Sequence, residues 1–339
     1  MRGNTVSEAS HGALSGNSLG SSSLDLFASL IRKGQAREPI SVAVCWPCSN
    51  VSLLGAVEAA TAGLILPKYV GPETEIRRIA EDIGVDIRAE DILDVDSEEE
   101  AAARSTELCR ASHAQALMKG SLHTDTLMKF VLQREGGLRT PRRISHVFIM
   151  QAPLYDRALM ITDAAINIEP TLEDKVDITQ NAVDLAHALG IPMPRVAILS
   201  AIETVNPKIA STIEAAALCK MAERGQITGA ILDGPLAFDT AVSKEAAKVK
   251  NLKSAVAGES DILVVPDLES GNMLAKQLEY LGGASLAGIV LGARVPIILT
   301  SRADSSESRV TSCAVASLLV HAVADLPLTR FSHAGFSPE

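Results

Sequence analysis

Ser301 and Arg302 are the two residues of this chain best suited to chemistry on an anion. They follow the apolar run Ile297–Leu299 and precede a helical pattern, so they fall where a strand gives way to a helix. In an open α/β sheet, ligands bind at the carboxyl ends of strands, where the N–H groups of the next helix also point. A hydroxyl and a permanent cation at such a junction suit phosphate or a phosphorylated cofactor. Arg294 lies in the same segment, Leu291-Gly-Ala-Arg-Val-Pro-Ile-Ile-Leu-Thr-Ser-Arg-Ala-Asp304. A second segment, Val265-Pro-Asp-Leu-Glu-Ser-Gly-Asn272, has the same form, with Asp267 and Asn272 flanking a Gly-containing turn. A helix-start Asn can donate to phosphate or to a carbonyl, and either residue can instead cap the helix. Lys119-Gly-Ser121 follows a third apolar run, and Thr124 opens the next helix, which adds one cation and two hydroxyls. Asp163 and Asp233 are further polar groups at strand ends, where a turn or cap role competes with a ligand role.

The elements that carry these groups alternate along the chain. Short β-branched runs read as strands at Ile40–Cys45, Ile65–Val70, Ala116–Met118, His146–Met150, Leu159–Ile161, Val196–Leu199, Gly229–Leu232, Ile262–Val265, Gly288–Leu291 and Ile297–Leu299. Helical patterns lie between most of them, which argues for an α/β fold, mostly parallel, with helices on both faces. The clearest helix covers 172–189. Thr171 and Asp174 make a capping-box-like start, and Gly190 closes the end. Asp304 and Glu307 are read as capping groups of the helix after Ser301. Ten strands exceed what one sheet usually holds, so two α/β domains with a cleft between them fit better. Residues 1–23, rich in Ser, Gly and Asn, read as a disordered tail.

Composition narrows the function. The 339 residues are 47% hydrophobic but only 3% aromatic, so the core is aliphatic and an aromatic nucleic-acid platform is not expected. A net charge of -10 disfavours nonspecific binding to nucleic acid or an anionic membrane. No membrane-spanning run and no secretory signal are read, so the expected place is the cytoplasm. Five scattered cysteines argue against a disulfide framework. Cys45-Trp-Pro-Cys48 has the spacing of a redox dithiol, but two cysteines in a strand-to-helix turn is the plainer reading. The seven histidines show no metal-ligand spacing. G-x-S-x-G, Walker A and G-x-G-x-x-G motifs are missing from the sequence.

Four pieces in order carry a family resemblance: Leu117-Met-Lys-Gly120, Ile231-Leu-Asp-Gly-Pro-Leu-Ala-Phe-Asp239, Pro266-Asp-Leu-Glu-Ser-Gly-Asn272 and Ala293-Arg-Val-Pro-Ile-Ile-Leu-Thr-Ser-Arg302. Over roughly residues 25 to 325 the chain resembles the phosphate acetyltransferase and phosphate butyryltransferase family. It is most like the transferase half of proteins that fuse an enoyl-CoA hydratase to such a transferase. The resemblance implies a two-domain fold like isocitrate and isopropylmalate dehydrogenases. Residues 24–150 with 288–339 would form the first domain and 151–287 the second, with the active site in the cleft. It also implies a homodimer.

The implied reaction is acyl-CoA plus phosphate giving acyl phosphate plus CoA, with acetyl first and propionyl or butyryl as alternatives. Phosphate attacks the thioester directly, with no metal or cofactor, and CoA is a substrate or product. By the resemblance Ser301 would hydrogen-bond the thioester or its sulfur, and Arg302 would hold phosphate. Acetyl-specific members carry a carboxylate seven residues after that Ser. Here Ser308 stands there, so Glu307, or Asp304, takes the place of the base. An Arg that follows the Asp-Thr-Leu run in those members is Met128 here, beside Lys129. Two other readings stand beside this one: a metal-dependent dehydrogenase of the same fold, and a non-catalytic acyl-CoA-binding module.

Overall fold

The computed structural model describes residues 26–300 and 304–325. The expected tail, 1–23, lies outside them, as do Ser301 and Arg302. The chain begins α1 (Leu26–Gln35), β1 (Ile40–Cys45), α2 (Asn50–Thr61), β2 (Ile65–Gly71), α3 (Glu73–Ile83), β3 (Ile92–Asp94), α4 (Glu98–Arg110), β4 (Ala116–Lys119), α5 (Thr124–Val131) and β5 (Ser145–Gln151). It continues β6 (Leu159–Thr162), α6 (Leu172–Ala188), β7 (Arg195–Leu199), α7 (Ala210–Glu223), β8 (Ile231–Leu236), α8 (Phe238–Val242), α9 (Lys244–Val249), β9 (Ile262–Val264) and α10 (Leu268–Tyr280). It ends β10 (Ser285–Leu291), β11 (Ile297–Ile298) and α11 (Ser306–Asp325).

Among the described residues the strands form one sheet rather than two, in the order β3-β2-β1-β4-β11-β10-β5-β6-β9-β7-β8. The flanks are parallel: β3, β2, β1, β4 and β11 on one side, β6, β9, β7 and β8 on the other. Between them β10 and β5 run antiparallel to each other and to their outer neighbours. The two flanks therefore point in opposite directions, joined through that central pair. The number of strands argued against such a sheet. The seven-residue β5–β10 ladder, Ser285 opposite Gln151 through Leu291 opposite Ser145, makes it continuous.

Alternation along each strand sets two faces. Val42, Met118, Ile298, Ile289, Val147, Met160, Val264 and Val196 point to one face and share a core with α1, α2, α3, α6, α7 and α11. That core is continuous across both flanks. The other face is divided. Ala43, Leu117, Val290 and Ile297 pack with α4 and α5, while Phe148, Ile161, Leu263 and Leu286 pack with α8 and α10. The boundary between these two clusters runs along His146 of β5 and Gly288 of β10, which no cluster includes.

Local chemistry explains the element ends. Thr171 and Asp174 form the capping box at the start of α6, and Gly190 follows its end with φ 93°. β8 is displaced from the expected 229–232. It begins at Ile231 and runs on through Gly234-Pro235, a pair that reads as a turn. Proline is tolerated there because β8 is the sheet edge and one side of it needs no N–H donor. The short β3 has only three residues and shows no sequence signal of its own.

Candidate functional site

The carboxyl ends of β1, β4 and β11 meet at one edge of the sheet. Cys45 pairs with Lys119, and Ile298 with Met118, so β11 delivers Leu299 and Thr300 beside Lys119 and Gly120. Lys119 is buried, and its Nζ donates to the carbonyls of Gly120 (3.2 Å) and Leu122 (3.1 Å). Gly120 donates its N–H to Cys45 at 2.8 Å. The Ser121 N–H and hydroxyl both donate to the Trp46 carbonyl, at 2.9 and 3.1 Å. Trp46 itself holds a left-handed backbone, φ 54°, unusual for a bulky residue. Thr124 begins α5, half-buried, three residues beyond Ser121. Lys119, Ser121 and Thr124 are thus brought to one corner, next to the strand end that leads into Ser301 and Arg302.

The chain from Asp304 onward adds to the same corner. Thr300 accepts from Arg309 Nη1 at 2.8 Å. Ser305, not Asp304 or Glu307, caps α11: its hydroxyl accepts the Ser308 N–H at 3.1 Å and lies 3.1 Å from the Ser308 hydroxyl. Ser306 donates to the Glu58 carboxylate of α2. Asp304 is buried near Arg309, whose guanidinium is pushed below its usual range by burial against the opposing pull of Asp304. Glu307 is exposed on the first turn of α11. Met128 is buried among Leu127, Val131 and Leu117, a core residue.

Asp163 follows β6 and is 2% exposed. Its Oδ1 accepts from the N–H groups of Ala165 (2.9 Å) and Ile166 (3.1 Å). Its Oδ2 accepts from the Asn167 N–H (3.2 Å) and Asn167 Nδ2 (2.5 Å). Asn167 in turn receives Arg143 Nε at 2.7 Å and donates to the Ile144 carbonyl at 2.9 Å. A carboxylate with four donors of this chain is committed to fixing its turn, so Asp163 acts here as a hub rather than as an open ligand. Asn272 of α10 donates to Ala164 at 3.1 Å, and Asp267 caps α10 through the Ser270 N–H and hydroxyl, both at 2.8 Å. Gly271 lets the helix lie directly on the Asp163 carbonyl, where a Cβ would be 3.1 Å away. Asp163, Asn272 and Asp267 therefore form one knot.

Two expected site residues are not brought in. Asp233 accepts the Gly234 N–H at 2.8 Å on the outermost strand, three places from β6. Arg294 lies in the turn between β10 and β11, at the amino end of β11, and is exposed. The extended strand that follows sets Arg294 at the opposite end from Thr300. There it lines a groove of about 1460 Å³ with Arg142, Asp177 and Gln226.

Burial disfavours a reactive thiol in the Cys45-Trp-Pro-Cys48 turn. Burial pushes the thiols of both Cys45 and Cys48 up to about 12. Among the described residues no group of three His, Cys, Asp or Glu could hold a metal ion, and no helix is long and apolar enough to cross a membrane. Sequence reading passed over His146, a polar residue in an otherwise apolar strand and wholly buried. A lone polar side chain in a run such as His146-Val-Phe-Ile-Met150 was the available signal.

An α/β sheet covered on both faces, with anion-suited residues gathered at its strand ends, defines a class of ligand-binding α/β proteins. Within that class, residues 72–317 match the family profile described as Phosphate acetyl/butaryl transferase, and the chain belongs to that family. It is 58% identical to the phosphate acetyltransferase of Rhizobium meliloti, over 85% of this chain and 92% of that one. It is 41% identical to the phosphate butyryltransferase of Clostridium acetobutylicum, over 86% of this chain and 97% of that one. Among solved structures, the branched-chain phosphotransacylase of Enterococcus faecalis V583 superposes with a TM-score of 0.72 at 32% identity, covering 83% and 99% of the two chains.

Proposed function

We propose that the protein is a phosphate acyltransferase that moves a short acyl group, acetyl first, between CoA and inorganic phosphate. A phosphate oxygen attacks the thioester carbonyl, the C–O bond forms, the C–S bond breaks, and CoA leaves as a thiolate that takes up a proton. The observation that carries this reading is the family match spanning the corner where Lys119, Ser121 and Thr124 stand beside the end of β11. A buried cation and two hydroxyls are suited to phosphate. Arg302 holds the attacking phosphate and Ser301 donates to the thioester. Glu307, the exposed carboxylate on the first turn of α11, exchanges the proton with the CoA thiol. Asp304 is buried and Ser308 sits at the helix cap, which favours Glu307 for that task.

The reaction as written needs phosphate and acyl-CoA and no further cofactor. Residues 24–150 with 288–339 and residues 151–287 work as two domains, a division supported by the split of one core face at His146 and Gly288. The protein works in the cytoplasm as a homodimer. Exposed apolar side chains on the edge strand and its neighbouring helices, Ile231 of β8, Ile213 of α7 and Phe238 of α8, support the dimer, which light scattering tests.

The deciding experiment is phosphate-dependent release of CoA thiol from acetyl-, propionyl- and butyryl-CoA, with Arg302→Ala alongside. Release that requires phosphate and collapses at least about a hundredfold in the variant supports the reading. Acyl-CoA binding without turnover by the wild type would instead identify a binding module.

A further inference from the structure

His146 lies at the floor of the divided face, and the proposed reaction does not use it. It is 0% exposed, and neither ring nitrogen has a hydrogen-bond partner among the described residues. Its ring stands edge-on to Phe148, centroids 4.3 Å apart and planes at 71°. It reaches over Gly288 of the neighbouring strand. A Cβ added at Gly288 would stand 2.9 Å from His146 Nε2 and 2.6 Å from the Leu299 carbonyl oxygen. Ring and carbonyl therefore flank one point, which is open only because residue 288 has no side chain. On its other side the ring feels Asp163, the hub that fixes the turn after β6.

Burial lowers the pKa of this imidazole to about 4, against the upward pulls of Asp163 and the Leu299 carbonyl. A neutral imidazole has one N–H to give and one lone pair to receive. The Leu299 carbonyl, which follows β11 and precedes Thr300, offers that N–H an acceptor.

We propose that His146 is a positioning residue for acyl transfer: wedged over Gly288, its imidazole fixes the Leu299 carbonyl, and with it the carboxyl end of β11, at a set distance from the Asp163 turn. The substrate corner stands at the strand ends of one flank, and the Asp163 turn follows β6 on the other. Only the central antiparallel pair connects them within the sheet, and His146 and Gly288 are contributed by that pair. The ring transmits the placement of one flank to the other. It touches no reacting atom.

The inference rests on the acyltransferase reading, so wild-type turnover is measured first and each variant is compared with it. His146→Leu removes both nitrogens and keeps bulk. His146→Gln keeps an N–H donor. Gly288→Ala puts a methyl where ring and carbonyl meet. His146→Leu and Gly288→Ala are each expected to lower kcat about ten- to hundred-fold, with both KM values within about threefold of wild type and the urea midpoint retained. His146→Gln restores most of kcat. The double variant His146→Leu with Gly288→Ala is no slower than the slower single one, because both act through the Leu299 contact. A wild-type kcat in His146→Leu, or additive losses in the double variant, overturns the proposal. Nitrogen-15 spectra of the wild-type protein decide it independently of turnover or of how the variants fold. One imidazole should stay neutral between about pH 5.5 and 8 and keep a slowly exchanging N–H; no such ring among the histidines overturns the proposal.

Discussion

Gly120→Ala puts the packing of the substrate corner to its sharpest test. An added Cβ would stand 2.2 Å from the Trp46 carbonyl oxygen, 2.5 Å from that of Cys45 and 2.6 Å from the Trp46 carbonyl carbon. All three atoms are backbone, so no side chain can swing aside. The ends of β1 and β4 must part by about 1 Å to reach ordinary contact. Trp46 already holds φ 54°, which limits how its carbonyl can turn. Parting the strands strains three hydrogen bonds: Gly120 to Cys45, and the N–H and hydroxyl of Ser121 to Trp46. At about 1 kcal/mol each, with about 1–3 kcal/mol for over-packing, the expected loss is roughly 4–6 kcal/mol. Urea unfolding followed by fluorescence reads it well, because Trp46 is the only tryptophan of the chain and sits at the disturbed contact. Gly63→Ala is the control. Its φ is +73° with nothing within 4 Å, so it carries only the left-handed backbone cost of about 1–2 kcal/mol. Turnover should fall along with stability, since Lys119 and Ser121 flank the substituted residue. A Gly120→Ala loss no larger than that of Gly63→Ala would refute the tight crossing of the two strand ends.

Asp163→Asn keeps the size of the hub but offers an amide donor to a site made of donors, so a loss of about 2–4 kcal/mol is expected in urea unfolding. A wild-type midpoint would show that the turn after β6 does not depend on the carboxylate. All five thiols are pushed up to about 12 with burial as the leading cause. Ellman's reagent at about pH 7.5 should therefore find no fast thiol in the folded protein and all of them after unfolding; a rapidly reacting Cys48 would revive the dithiol reading. Stability should also depend on pH. Folded His146 stays neutral down to about 4, whereas the unfolded chain protonates near 6.5. Between those values the unfolded state binds more protons, so stability falls as pH falls through that window. The drop between about pH 7 and 5 should shrink in His146→Leu, and an unchanged drop would assign it to other groups.

Much of the fold lies in local signals. β1 matches its apolar run residue for residue, and α6 follows from Thr171, Asp174 and Gly190 because caps and periodicity are properties of neighbours in sequence. The strand ends that present Lys119 and Ser121 are legible for the same reason. Pairing is different. Ser145 meets Leu291 and Leu117 meets Ile297, contacts that no local pattern encodes, so the single sheet was read as two. Distance along an extended strand also escapes local reading: Arg294 is close to Thr300 in sequence, but the strand between them carries the two to opposite ends. The cap of α11 went to Ser305 over Asp304 because hydroxyl and carboxylate are both good caps, and only the buried setting of Asp304 beside Arg309 separates them.

The place of β11 in the sheet bears on how the chain is made. β4 finds its inner neighbour only in β11, encoded roughly 180 residues later. At the usual pace of synthesis, on the order of 5–20 residues per second, β4 presents an unpaired apolar edge for about ten to thirty seconds while everything between emerges from the ribosome. During that interval α4 and α5 can settle on one side of the strand, but α11, which closes the other side against α1 and α2, does not yet exist. The nascent amino-terminal half thus leaves one face of its core uncovered until α11 has been translated.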